Sequence, residues 1–297
     1  MTVHQHLPAG TILLADSQAL GCAGMVFRVD PVTGEVGQFA LGGELQGATG
    51  IAIESDGNIV VSKDRSFPGT GILLRLDGRT GAQSEVTSGG KFTAPIDVAV
   101  EADGNILVAD VATGGFGAVI RVNRTTGKQT VLSQGDGTGD PAVRAAGLCV
   151  APDGSILVVE QNMIGGEDLS SRLVRVDRVS GARTTVTSGG ELRSPCGVVV
   201  DSAGHILIAD ANAFPGFGGG VIKVDPATGA QTTVSSGGGF VAPGSIAIEA
   251  DGSLLVTDSD PGGTDRFLFR VDPVTGAQKV VASGGQFKSL VGVAVVR

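Results

Sequence analysis

The chain has 297 residues, 41% of them hydrophobic, with 49 glycines, 12 prolines and 11 phenylalanines but neither tryptophan nor tyrosine. That is enough apolar material for a large core, so the chain is not disordered, and its glycine content predicts many turns and no long helices. A net charge of −9 repels phosphate backbones and anionic bilayers, which argues against nucleic acid and membranes as partners.

The first residues, Met1 to Pro8, have neither the basic end nor the apolar stretch of a secretory leader, and no apolar run reaches the length of a membrane span. The expectation is a soluble, monomeric protein of the cytoplasm, or a secreted one if a leader has been removed. Residues 1–10 read as a tail and 11–297 as a single domain. Cys22, Cys149 and Cys196 are odd in number and show no CxxC spacing, so neither a disulfide framework nor a zinc site is expected.

From residue 11 the chain repeats itself. Val26-Phe-Arg-Val-Asp30 returns as Leu73 to Asp77, Val119 to Asn123, Leu173 to Asp177, Val221 to Asp225 and Leu268 to Asp272, about every 47 residues. Each block holds four short β-branched segments. Asp97 to Glu101, Asn105 to Asp110, Val119 to Asn123 and Gln129 to Ser133 are one set. Asp-Gly pairs at 56–57, 103–104, 153–154 and 251–252 supply the positive-φ residue of a hairpin between the first and second segments. Asp-Pro-x-Thr-Gly runs ending at Gly34, Gly229 and Gly276 turn the third into the fourth, and Ser-Gly-Gly at Ser88, Ser188, Ser236 and Ser283 begins the crossing to the next block.

Four antiparallel strands repeated six times predict an all-β, six-bladed β-propeller. Thr11-Ile-Leu-Leu-Ala-Asp16 copies a second strand, and the chain stops at Gly292-Val-Ala-Val-Val-Arg297, a first strand. The two segments, 11–16 and 292–297, therefore pair to close the ring and remove the open sheet edges. Blocks such as Ala94-Pro-Ile-Asp-Val-Ala-Val-Glu-Ala-Asp-Gly-Asn-Ile-Leu-Val-Ala-Asp110 resemble the NHL-type six-bladed propellers, related to the gluconolactonase and strictosidine-synthase-like propellers. The resemblance covers nearly the whole chain. It implies the fold and leaves function open, since such propellers include scaffolds, ligand binders and enzymes.

A residue repeated in every blade reads as architecture, and one that occurs once marks a possible site. The Arg or Lys at 28, 75, 121, 175, 223 and 270 belongs to the first class, as a solvated or inter-blade charge. The second strands end at Asp16, Lys63, Asp110, Glu160, Asp210 and Asp258, on what is called here the upper face. The carboxylates there are expected to cap loops by accepting backbone N–H groups. Lys63 breaks the set, either as a cation for an anionic group or acid–base work, or as a surface lysine whose place in the pattern Asp64 has taken.

The innermost strands begin at Gly50, Asp97, Gly147, Gly197, Ser245 and Gly292, preceded by Thr49, Ile96, Ala146, Cys196, Gly244 and Val291. The resemblance to gluconolactonase-like propellers implies a divalent metal held by Asn, Asp and Glu at such places. This chain lacks those ligands, so no metal and no cofactor is expected. Asp97 stands where four blades have glycine, either to bind something or to bond a neighbouring loop. Cys196 either presents a thiol at the channel mouth or fills space as a small hydrophobe.

Phe67, Phe116, Met163, Ile164, Phe214 and Phe217 fall on upper loops. They either fold down onto their own blades or form an apolar collar for a small hydrophobic molecule or a protein segment. Two common catalytic signatures are missing: there is no GxSxG or HExxH, and the histidines are only His4, His6 and His205. Asp136 to Asp140 and Asp258 to Asp260 complete no calcium loop, and without Trp or Tyr a sugar-binding propeller is not expected.

Two readings remain. In one, the propeller binds a small apolar ligand or a protein segment at the upper channel mouth, through Phe67, Phe116, Met163, Phe214, Phe217 and Cys196. In the other, it is a metal-independent lyase, cyclase or hydrolase that moves protons with Lys63, Asp97, Glu160 or Asp210 under an apolar collar.

Overall fold

The computed structural model describes residues 6–19, 23–64, 71–135, 143–162, 171–214, 218–259 and 266–297. Its strands form six four-stranded antiparallel sheets, as the repeat predicts. Blades 2 to 6 each use four consecutive strands, beginning with Ala48–Ile53, Pro95–Val100, Val143–Val150, Pro195–Val200 and Pro243–Ile248. Blade 1 is composite: Leu290–Val295 pairs antiparallel with Ile12–Asp16, followed by Met25–Val29 and Val36–Leu41. The two ends of the chain thus close the ring, with the last strand beginning and ending two residues earlier than its sequence pattern predicts. Two 3-10 turns, Gly43–Leu45 and Thr113–Gly115, lie between strands.

The blades pack face to face through six apolar clusters, one between each adjacent pair. The first five residues of every second strand are buried, as Ile12–Asp16, Ile59–Lys63 and Ile106–Asp110 illustrate, because a propeller sheet is covered on both faces. A second recurring plug, unnoticed in the sequence, sits on the crossings. Leu45, Phe92, Leu192, Phe240 and Phe287 follow the Gly-Gly pairs and are all buried. Phe287 meets Phe27 edge-on at 5.1 Å, and Phe240 meets Phe269 at 5.3 Å, a favoured aromatic geometry.

Polar struts join blade to blade. Arg75, Arg121 and Arg270 each clamp a glutamate of their own blade, with Nη2 to Oε1 distances of 2.8, 2.7 and 2.7 Å to Glu54, Glu101 and Glu249. The same Nη2 donates to a backbone oxygen in the turn of another blade: Arg124, Arg178 and Pro31 respectively. Three of the six repeated cations are therefore inter-blade groups. Gln129, Gln231 and Gln278 do similar work, each donating to the Gly carbonyl of the preceding blade's Ser-Gly-Gly turn.

Candidate functional site

The six residues ending the second strands are all buried, and the carboxylates among them are heavily bonded. Asp110 accepts four backbone N–H groups: Thr93 and Ala94 on Oδ2, Ala112 and Thr113 on Oδ1, at 2.7 to 3.0 Å. Thr93 and Ala94 belong to the crossing that feeds the innermost strand, and Ala112 and Thr113 to the loop leaving the second strand. One carboxylate thereby staples two segments that would otherwise leave buried donors unpaired. Asp16 does the same with Gln18, Lys288 and Ser289, and Asp210 with Arg193, Ser194 and Asn212. Burial raises the Asp210 pKa against those lowering N–H bonds.

Lys63 is neither at the surface nor free to meet a ligand. Its side chain is 5% exposed, and its Nζ bonds Glu44 Oε2 at 2.6 Å, from the crossing between blades 1 and 2. Glu160 is clamped by Arg172 Nε at 2.6 Å and by Arg183. Arg183 replaces the glutamine found at that position in blades 2, 3, 5 and 6. Three of the four titratable candidates are thus tied into the upper ends of the blades.

Of the apolar candidates, Phe116 is half-buried at the end of the 3-10 turn. Phe214 ends its strand packed against the cluster between blades 4 and 5. Cys196 is half-buried, its Sγ 3.2 Å from the Ser194 carbonyl oxygen, and its thiol is pushed up to about 12 by burial and by the Asp210 charge. Phe67, Met163 and Phe217 lie outside the described residues, as do Asp136 to Asp140 and Asp260.

The innermost strands carry a device that sequence reading did not find. Each has a bulge opposite the end of its second strand. In blades 3, 4 and 5 the skipped residues are Ile96, Ala146 and Cys196, the positions at which metal ligands were sought. A bulge re-aims the strand, and the next residue, usually glycine, brings backbone against backbone. A Cβ on Gly147 would lie 2.2 Å from the Cys196 carbonyl oxygen, and one on Gly50 2.5 Å from the Asp97 Cα.

Below this glycine ring the six strands enclose a cavity of about 450 Å³. It runs to the lower end of the channel, where Glu54, Ser55, Gly57 and Arg297 line it. The register of the blades stacks the wall in rings. Ile51, Val98, Leu148, Val198, Ile246 and Val293 form one, and the smaller Ala52, Ala99, Cys149, Val199, Ala247 and Ala294 the next. None of the apolar upper-loop candidates among the described residues lines this cavity.

Asp97 does line it. Oδ1 accepts the Val98 N–H and Oδ2 the Leu148 N–H of blade 4, both at 2.9 Å. Burial nevertheless raises its pKa to about 7 against those two bonds. Ser245, in the opposite blade, occupies the matching ring position and accepts the Val293 N–H at 3.2 Å. The Cys149 thiol is pushed up to about 12 by burial and by the Asp97 charge. Among the described residues no group of three or more His, Cys, Asp or Glu side chains is arranged to hold a metal ion.

Solved structures match this architecture closely. The propeller in the crystal structure of a nidogen/laminin complex superposes with a TM-score of 0.74 at 14% identity, over 97% of this chain and 98% of that one. The fold is shared. A putative 6-phosphogluconolactonase from Bacteroides fragilis gives 0.64 at 14% identity over 97% and 98%, and virginiamycin B lyase from Staphylococcus aureus 0.60 at 13% over 93% and 87%. No protein-family model matches the chain, and no curated protein does. No helix among the described residues is long and apolar enough to cross a membrane.

Proposed function

We propose that this chain is an NHL-type propeller whose upper channel mouth binds a small apolar molecule or a protein segment without chemical turnover. The bonding of the polar groups at that face carries this reading. Asp16, Asp110 and Asp210 are filled by backbone N–H groups, and Lys63 and Glu160 by ion pairs. A general acid or base must reach the proton it moves, and these groups are already held by their own loops. Contact surface is what the face has left to offer. The neighbour from a nidogen/laminin complex is in keeping with a protein segment as the partner.

A thermal-shift screen against apolar esters, lactones and polyketide-like acids, with a peptide library in parallel, tests the proposal. A shift of several degrees that Phe116→Ser and Phe214→Ser remove is expected. Compounds or peptides that bind these variants as well as the parent would refute the upper site.

The second reading, a metal-independent lyase, cyclase or hydrolase, is favoured by one observation. Burial holds the Asp97 carboxyl at about 7, where proton transfer in both directions is efficient at neutral pH. Turnover of any bound compound that disappears in Asp97→Asn while binding persists would establish it.

A further inference from the structure

The lower channel poses an electrostatic problem that its own residues leave unsolved. Around Asp97 the wall is made of glycine, serine, cysteine and apolar side chains, with Glu54 and Arg297 only at the lower mouth, and Asp97 accepts two backbone N–H groups. No Lys, Arg or His among the described residues is paired with it. Asp97 is half-buried, and a carboxylate partly withdrawn from water without a countercharge carries part of the desolvation cost. Three glutamates that end inner strands are treated differently, since Glu54, Glu101 and Glu249 each have an arginine. An ionised carboxylate offers roughly four lone-pair sites, of which two are taken by N–H groups.

The surroundings select the countercharge. A hard divalent cation needs six or more oxygens, and this ring supplies the Asp97 carboxylate with only Ser245 opposite. An ammonium group brings one positive charge and three donors. Below it, rings of branched and small aliphatic side chains, interleaved with the strands' own backbone groups, line the way to the lower face. The other titratable or charged residues that line the cavity are Cys149 beside Asp97, and Glu54 and Arg297 at the lower mouth. Glu54 is already paired with Arg75.

We propose that the lower half of the channel is a binding site for an aliphatic primary ammonium ion, with its head on Asp97 and its chain along the apolar rings beneath. The site is separate from the upper mouth and stands or falls independently of it. No metal and no covalent step is involved.

Calorimetric titration of the full chain at pH 8 with hexylammonium chloride, hexan-1-ol and sodium hexanoate tests this site. Hexylammonium is expected to bind at least tenfold more tightly than hexanol, and hexanoate not at all. Asp97→Asn should weaken hexylammonium at least tenfold while leaving hexanol unchanged. Ala99→Phe, which fills this part of the channel, should remove both. Phe116→Ser, on the upper loop, should alter neither, which separates failure of this site from failure of the upper one. Equal binding of hexylammonium and hexanoate overturns the proposal, as does undiminished hexylammonium binding by Asp97→Asn. A melting shift with calcium chloride but none with hexylammonium also overturns it. The ranking of the three probes on the parent protein decides the matter even if Asp97→Asn does not fold.

Discussion

Asp110 and Asp97 belong to the same blade, the first fully buried and the second half-buried on the channel wall, and they are used in opposite ways. Asp110 ends a second strand and accepts four N–H groups from two loops, so its charge is dispersed over donors that need it. Asp97 begins the channel wall, accepts two, and has its pKa raised to about 7 by burial. Acidic residues recur at the position of Asp110 in four other blades, whereas Asp97 has no counterpart, its matching positions being glycine or serine. Repetition marks the carboxylate that holds the ring together, and its absence marks the one available for something else.

The largest effect should come from breaking the first member of the pair. Asp110→Ala leaves four buried donors without a partner and is expected to destabilise the fold by about 4 kcal/mol. Asp110→Asn, which keeps one acceptor oxygen, should cost about half as much, and urea denaturation distinguishes the two. Removing Glu101 strands Arg121 with a single backbone acceptor. Because the arginine is one-quarter exposed, we expect about 2 kcal/mol rather than the full cost of a buried orphan charge.

Asp97 sharpens the comparison through pH. Its folded pKa of about 7 lies above the ordinary 3.8, so the folded state binds the proton more tightly than the unfolded one. Its stabilising contribution is fully present below the unfolded value and is lost as pH rises through about 7. Asp97→Asn should therefore gain on the parent by about 1–2 kcal/mol between pH 5 and pH 8, allowing for partial solvent access. Denaturation curves at both pH values check the sign, and a gain at pH 5 instead would contradict it.

The smallest effect concerns the thiols. Cys149 and Cys196, both pushed up to about 12, should resist iodoacetamide at pH 8 in the native protein and react only in denaturant, as peptide mass spectrometry would record.

Much of the fold is written in local signals. The period of about 47 residues, the Asp-Gly hairpins and the matching end segments identify six blades and their closure, because each depends only on neighbours in the chain. The carboxylate caps were also legible, since an Asp ending a strand before a loop has few other roles. The Gly-Gly-x-Phe/Leu plugs carry an equally regular signal, with Leu45, Phe92, Leu192, Phe240 and Phe287 all buried. The burial of Lys63, a residue expected from the sequence either at the surface or as a cation for an anionic group, is not legible in the sequence. Its partner, Glu44, lies on the preceding crossing, and nothing in the local pattern brings the two together.

The amino-acid sequence by itself determined the architecture: six sheets, their strand order, their turns and the ring closure. Alternation and turn chemistry act over a few residues and repeat faithfully. Only the tertiary structure decided which residues face one another across the channel, that each inner strand bulges at its upper end, and that Asp97 faces the channel cavity with two backbone N–H partners while Asp110 accepts four. Those outcomes depend on distances between segments far apart in the chain, and on how completely the assembled wall shuts out water. Neither is a property of any single blade.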